Sequence, residues 1–212
     1  MLEIFSVIVL ILSATIHEYM HGFVANQLGD PTAKNAGRLT LNPIKHLDLF
    51  GSIILPLSLL YLGSISNHIP VPVFGWAKPV PYNPNNLNDR KYGDTKVAIA
   101  GPLANLFMAV IFSIMFRFLD PTSMFTKLIA VTIIVNLVLM IFNLVPIPPL
   151  DGSKILATFL PRNLKDKLMY MDARLSMLLV FVFIYFGSNL IWPVVNNLSR
   201  LLAGSYLLNY LS

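Results

Sequence analysis

Five stretches of this 212-residue chain carry neither a charged side chain nor a histidine: residues 4–16, 49–67, 97–116, 128–150 and 175–199. The hydrocarbon core of a bilayer takes about 20 apolar residues as helix, with a range of about 17–25. The last three stretches therefore predict spanning helices. The first reaches that length if its helix continues through His17 and Glu18 to about residue 25. It has no basic residue before the apolar run and no small-residue cleavage site after it, so it reads as a membrane helix and not as a removable leader. Stretch 49–67 differs, because Gly51, Pro56 and Gly63 interrupt it and Ser64–Ile65–Ser66–Asn67–His68 ends it. Beyond it, Pro70, Pro72, Gly75, Pro79, Pro81, Pro84 and Gly93 predict loop or short strands over 69–95.

Composition turns this pattern into a class. Hydrophobic residues make up 56% of the chain and charged residues 12%, about half the share (roughly 25%) of a soluble domain. So few charges cannot cover a water-exposed surface, which excludes a soluble enzyme. The expected fold is an all-α polytopic membrane protein, one domain over 1–212, with about four spanning helices (the last near 175–199) and one segment that does not cross. The net charge of +5 fits orientation in the lipid bilayer better than nucleic-acid binding. There is no cysteine, so any metal must be held by histidine and carboxylate.

His17–Glu18–Tyr19–Met20–His21 is an H-E-x-x-H at the end of the first apolar run. Residues four apart share a helix face, so both imidazoles can reach one ion with Glu18 beside them. Zinc accepts imidazole nitrogen and carboxylate oxygen in a tetrahedral set and leaves a position for water. That water becomes acidic enough for a glutamate to take its proton. Each charge near the bilayer centre costs about 2.5–3.5 kcal/mol, which argues against helix-end residues placed there without a use.

Two histidines need a third ligand. Asp151 follows Pro146, Pro148 and Pro149, which end the preceding helix, and precedes Gly152, which lets the backbone turn. It is the remaining ionisable group at a membrane edge and the best candidate by elimination.

These residues resemble the site-2 protease family of intramembrane zinc metalloproteases. The H-E-x-x-H in a membrane helix, Gly101–Pro102–Leu103–Ala104–Asn105 as G-P-x-x-N, and Asn143 to Gly152 as N-x-x-P-x-x-x-x-D-G fall in the family's order over about residues 13–155. The resemblance implies one Zn²⁺ bound by His17, His21 and Asp151, with Glu18 as general base. It implies a transmembrane protein as substrate, cleaved in or near its membrane segment, and a membrane-inserted hairpin after the H-E-x-x-H helix. It also implies that Asn105 and Asn143 face the site and hold a substrate strand or the developing oxyanion; interhelical hydrogen bonding is the other use of such asparagines. No PDZ or nucleotide-binding sensor module is expected in the chain.

A parity rule adds topology. His21 ends one helix and Asp151 follows another, so for both to reach one ion the chain between them must cross the membrane an even number of times. Segment 49–67 is then the one that stays on its side, as a re-entrant or interfacial element. This assignment puts twelve of the fifteen Lys and Arg on the metal's side and leaves Arg117, Lys127 and Arg200 opposite. The bias places the metal toward the cytoplasm of a multi-pass cell-membrane protein and both termini outside.

Three other features have plainer readings. His46 and Asp48 suggest a second metal pair or, more simply, a polar turn capping the segment that follows. His68 is a loop residue or a gate. Phe74–Gly75–Trp76–Ala77–Lys78–Pro79–Val80–Pro81 is an interfacial anchor, or an edge strand that pairs with an unwound substrate. Two rivals to a protease remain: a divalent-metal transporter with His and Asp as waypoints, and an inactive membrane scaffold. A transporter has no need of a non-ligating carboxylate between two ligands.

Overall fold

The computed structural model describes residues 2–65 and 75–210, and every regular element among them is helical. His68 and residues 69–74, Phe74 included, lie outside the described residues. Among the described residues three helices are long and apolar enough to cross a membrane, α1 (Leu2–Gln27), α4 (Gly93–Phe116) and α5 (Met124–Asn143), and the bent pair Arg162–Met169 and Ala173–Phe186 would make a fourth if it is one span. A short α2 (Thr32–Asn35) follows α1. Stretch 49–67 opens as a π-turn over Leu49–Ile54 and continues as α3 (Leu55–Ile65). The chain then runs through α6 (Asp151–Phe159), α7 (Arg162–Met169), α8 (Ala173–Phe186) and α9 (Ser188–Ala203).

Local signals set the boundaries. Ser123 caps α5 by accepting from the Phe125 N–H, and Asp172 caps α8 by accepting from Arg174 and Leu175. Asp48 accepts the Gly51 N–H at 2.7 Å and so opens the π-turn, which is the capping use weighed for it. His46 is buried with its Nε2 on the Thr40 carbonyl at 2.7 Å.

The last helix departs from expectation. The predicted single helix over 175–199 is two, α8 and α9, divided at Gly187. A Cβ at Gly187 would stand 2.4 Å from the Phe183 carbonyl and 2.6 Å from its ring, so the break falls where only glycine fits. Beyond it, α9 carries Asn196, Asn197, Ser199 and Arg200, which lower its apolar character.

α4 and α5 form the centre, with α1 on one side and α9 on the other. Val97, Gly101, Asn105, Ala109 and Ser113 recur every four residues along α4, and all are buried. In lipid the solvent is as apolar as the core, so helices associate by close packing, and a stripe of small residues permits it. Phe107, Ile111 and Ile114, on the rest of α4, are exposed and suit lipid.

Two contacts fix how the chain runs. His21, late in α1, bonds the carbonyl of Val97, in the first turns of α4, at 2.7 Å. The chain that leaves α1 at residue 28 therefore comes back to the same end of the bundle where α4 begins, as the parity rule requires of it. At the other end of α4, Arg117 donates to the carbonyls of Leu202 (3.0 Å) and Leu201 (3.2 Å) and caps α9. Since α6 begins beside the histidines and α9 ends beside Arg117, α8 and α9 carry the chain back to the far end of α4.

Candidate metal centre and its two cavities

α1 presents His17 and His21 one turn apart, with ring centroids 4.6 Å from each other. Asp151 reaches them from the first turn of α6, a position that the helix dipole favours for a carboxylate. Its Oδ2 lies 3.1 Å from Nε2 of both histidines. Gly152 makes this approach possible: a Cβ there would stand 2.1 Å from the Leu144 carbonyl oxygen and 2.5 Å from that of Val145. α6 thus starts flush against the end of α5.

The imidazoles are oriented from behind. The Val97 carbonyl can only accept, so His21 donates from Nδ1 and turns its Nε2 toward Asp151. For His17 the partner is Asn105 Oδ1, 2.6 Å from Nδ1. Asn105 donates its amide N–H to Asn136 Oδ1 (3.0 Å) and the Ser13 carbonyl (3.4 Å), which fixes its oxygen toward the histidine. Asn136 in turn donates to the Thr132 carbonyl at 2.9 Å. A polar relay through the apolar bundle thus sets the His17 tautomer.

The donor set fits zinc. All three residues are buried, with ligand atoms within 4.8 Å of one another. Tetrahedral coordination with Zn–N and Zn–O near 2.0–2.1 Å separates neighbouring donors by about 3.3 Å, and the two spacings to Asp151 are 3.1 Å. A divalent ion held there would meet one carboxylate charge and two imidazoles, a low net charge that eases burial. Gly101 completes the fit, because a Cβ there would lie 2.5 Å from His17 Nε2 and 2.6 Å from His21 Nε2. The face of the donors is open because residue 101 has no side chain.

Glu18 stands apart from the three donors and accepts the Val80 N–H at 2.7 Å. It lies between two cavities. One, of about 320 Å³, is mainly apolar: Leu10 and Ile11 of α1, Leu139 and Phe142 of α5, and Val180 and Phe181 of α8 line it, with Gly75–Trp76–Ala77 along one wall. The other, of about 110 Å³, is polar and lined by His17, Glu18, His21, Tyr82, Asp151 and Lys154. Lys154 Nζ sits 3.8 Å from Asp151 Oδ1 and 5.2 Å over the Tyr82 ring. Burial first, then the Asp94 carboxylate that Tyr82 donates to, push the Tyr82 phenol upward, so it stays protonated.

The structure thus brings together four residues singled out in the sequence, His17, Glu18, His21 and Asp151. Asn143 lines both cavities and donates to the Leu139 carbonyl at 2.9 Å. Asn105 is fully buried behind His17 and lines neither cavity, so it orients that imidazole. Sequence reading missed Asn136, the Val97 carbonyl, Val80 and the reason for Gly101. Asn136 lies seven residues before Asn143 on one helix, and that spacing was the available signal.

Helices that bury His, His and Asp beside an unligated glutamate, among spans long enough for a bilayer, define a polytopic membrane protein with a metallopeptidase-type centre. The comparisons agree. The chain matches peptidase family M50 over residues 120–187, the part that supplies Asn143 and Asp151. It is 36% identical over 200 residues to a Bacillus subtilis protein named "Putative zinc metalloprotease YwhC", across 90% of this chain and 85% of that one. It is 33% identical over 144 residues to "Putative zinc metalloprotease Rip2" of Mycolicibacterium smegmatis, across 67% of this chain and 52% of the other. It is 31% identical over 117 residues to "Zinc metalloprotease MJ0392" of Methanocaldococcus jannaschii, across 46% of this chain and 34% of the other. No solved structure matches the chain. The chain belongs to peptidase family M50, the site-2 proteases.

Proposed function

We propose that this protein is an intramembrane zinc endopeptidase that hydrolyses a peptide bond in or near a transmembrane segment of another membrane protein. One observation carries the reading: the three donors and Glu18 lie where an apolar groove at helix level meets a polar pocket. The groove suits a membrane segment, and the pocket gives water a way in. A zinc ion held by His17, His21 and Asp151 supplies polarisation of the scissile carbonyl and a water acidic near neutral pH.

The chain's own residues do the rest. Glu18 takes the water proton on its carboxylate and returns it to the leaving amine. The Val80 N–H holds that carboxylate in place. Asn143, on the wall of both cavities, is placed to donate to the substrate carbonyl or to a substrate strand. The segment from Gly75 to Val80 receives the substrate backbone. Trp76 is spoken for by the Gly51 carbonyl and the Ser52 hydroxyl, and Lys78 by the His46 carbonyl and Arg38. Ala77 lies between them, lines the groove, and has no hydrogen bond among the described residues. Alternate residues of extended chain point opposite ways, so Ala77 offers its N–H and carbonyl to a substrate that has left its helix. A Gly/Ser linker in place of Trp76–Val80 then abolishes cleavage and leaves zinc bound; unchanged cleavage would remove the strand from the account.

The positive-inside bias places this site toward the cytoplasm of the cell membrane, with both termini outside. The test of the reading is Glu18→Gln in proteoliposomes. It is expected to keep one zinc per chain and lose at least about 100-fold in cleavage. Retained cleavage would contradict the role given to Glu18, and zinc flux across the bilayer that Glu18→Gln leaves intact would favour the transporter.

A further inference from the structure

We propose that α7 is an interfacial helix that docks on anionic lipid headgroups on the metal-site side of the membrane and holds the far end of α6. The inference rests on the reading above that α8 crosses the bilayer.

α7 stands off the protein. Seven of its eight residues are exposed, and Leu168 is the half-buried one. At 100° per residue, Leu164 and Leu168 share one side. Arg162, Asn163, Asp166 and Met169 occupy the opposite sector, with Lys165 and Lys167 flanking the leucines on either side. Two large exposed residues flank the helix, Phe159 at 73% and Tyr170 at 85%. A leucine pair and two aromatics would not be left to water on a protein that has lipid within reach. The direction of the helix agrees: its axis turns 82° from that of α8. If α8 runs across the membrane, α7 lies along its surface.

Charge selects the partner. Arg162, Lys165 and Lys167 face one acid, Asp166, in the same eight residues. Such a helix sinks its apolar side to the acyl boundary and keeps its cations among the phosphates. Each cation near an anionic surface contributes about fivefold to the docked-to-undocked ratio at low ionic strength. α7 follows α6 after two residues, and α6 is about 13 Å long with Asp151 as its first residue. Headgroup docking therefore anchors the end of α6 remote from the metal ligand.

The native chain has no cysteine, which allows single nitroxide labels in the whole protein. Leu164→Cys, Asn163→Cys and Leu178→Cys would be compared in phosphatidylcholine vesicles with and without about one third phosphatidylglycerol. The label at 164 is expected to be shielded from a water-soluble relaxation agent in the anionic vesicles. It should become exposed in neutral lipid, in high salt, or when Arg162, Lys165 and Lys167 are all changed to Gln. The label at 163 should stay wet throughout. Equal shielding of 164 in both lipids and in the triple variant would overturn anionic recognition. A label at 164 that is wet everywhere would overturn the docking and leave the face to a protein partner. The label at 178, on α8, tests the premise separately: wet at 178 means that α8 does not cross and the docking fails with it, whereas dry at 178 with wet at 164 overturns the docking alone.

Discussion

Replacing Gly101 by alanine isolates the packing of α4 on the metal centre from everything else in the fold. The added Cβ would sit 2.5 Å from His17 Nε2, 2.6 Å from His17 Cε1 and 2.6 Å from His21 Nε2. Ordinary contact begins near 3.4 Å, so the imidazoles or α4 must separate by about 0.8 Å. The rings cannot turn away cheaply, because Asn105 and the Val97 carbonyl hold both Nδ1 atoms. A misplacement of about 1 Å costs on the order of 10²-fold at a reacting centre, and disturbed ligand support costs about 10–100-fold in metal affinity. Zinc affinity should therefore fall at least about 100-fold, or about 2.7 kcal/mol. The helix itself should not suffer, since alanine favours a helix interior over glycine by roughly 0.5–1 kcal/mol. Competition against a chelator of known affinity reads the first quantity, and thermal unfolding of the zinc-free protein reads the second. Zinc affinity within about threefold of wild type, in a folded variant, would refute the claim that α4 is packed to leave the donors free.

Two further substitutions probe the support around the centre. Asn105→Ala removes the acceptor for His17 Nδ1 and should weaken zinc binding or activity by about 10–100-fold, read by the same competition; Asn136→Ala, one step further along the relay, should cost less. Asp30 is fully buried and accepts from Thr32, Asn83 and Asn86, joining the end of α1 to the loop before α4. Burial by itself would raise its carboxyl, but hydrogen bonds from Thr32, Asn86 and Asn83 outweigh it and hold the group below its ordinary value. Because the folded-state pKa lies under the unfolded value of about 3.9, its contribution is complete above that pH. It disappears as pH falls through the folded-state value. Asp30→Asn should cost about 2 kcal/mol at neutral pH and flatten this acid limb in urea unfolding followed against pH.

Much of the site was legible because its chemistry is written in charge. In an apolar chain every His, Glu or Asp within a helix is costly, so His17, Glu18, His21 and Asp151 stood out by position. The same scarcity, with the parity of crossings, led to the expectation that 49–67 stays on one side. What was not legible depends on tertiary contact. The Val97 carbonyl and the Val80 N–H are backbone groups with no side-chain signature. Gly101 resembles any small residue until α4 is laid against α1, and the choice for Asn105 between substrate contact and interhelical hydrogen bond could be made only once Asn136 and His17 were seen on either side of it. The break at Gly187 was hidden too, because the apolar run continues through it and only the Phe183 carbonyl and ring show why a side chain is excluded there.

The central claim is that these residues cut a peptide bond of a membrane segment. The direct measurement is to reconstitute the wild-type protein with a model single-span substrate and map the products by mass spectrometry, with Glu18→Gln as the blank. The account predicts a cut within or bordering the span, stopped by zinc chelation, restored by zinc and absent from the blank. Cleavage that persists in Glu18→Gln, or that falls only in soluble flanks far from the span, would contradict it.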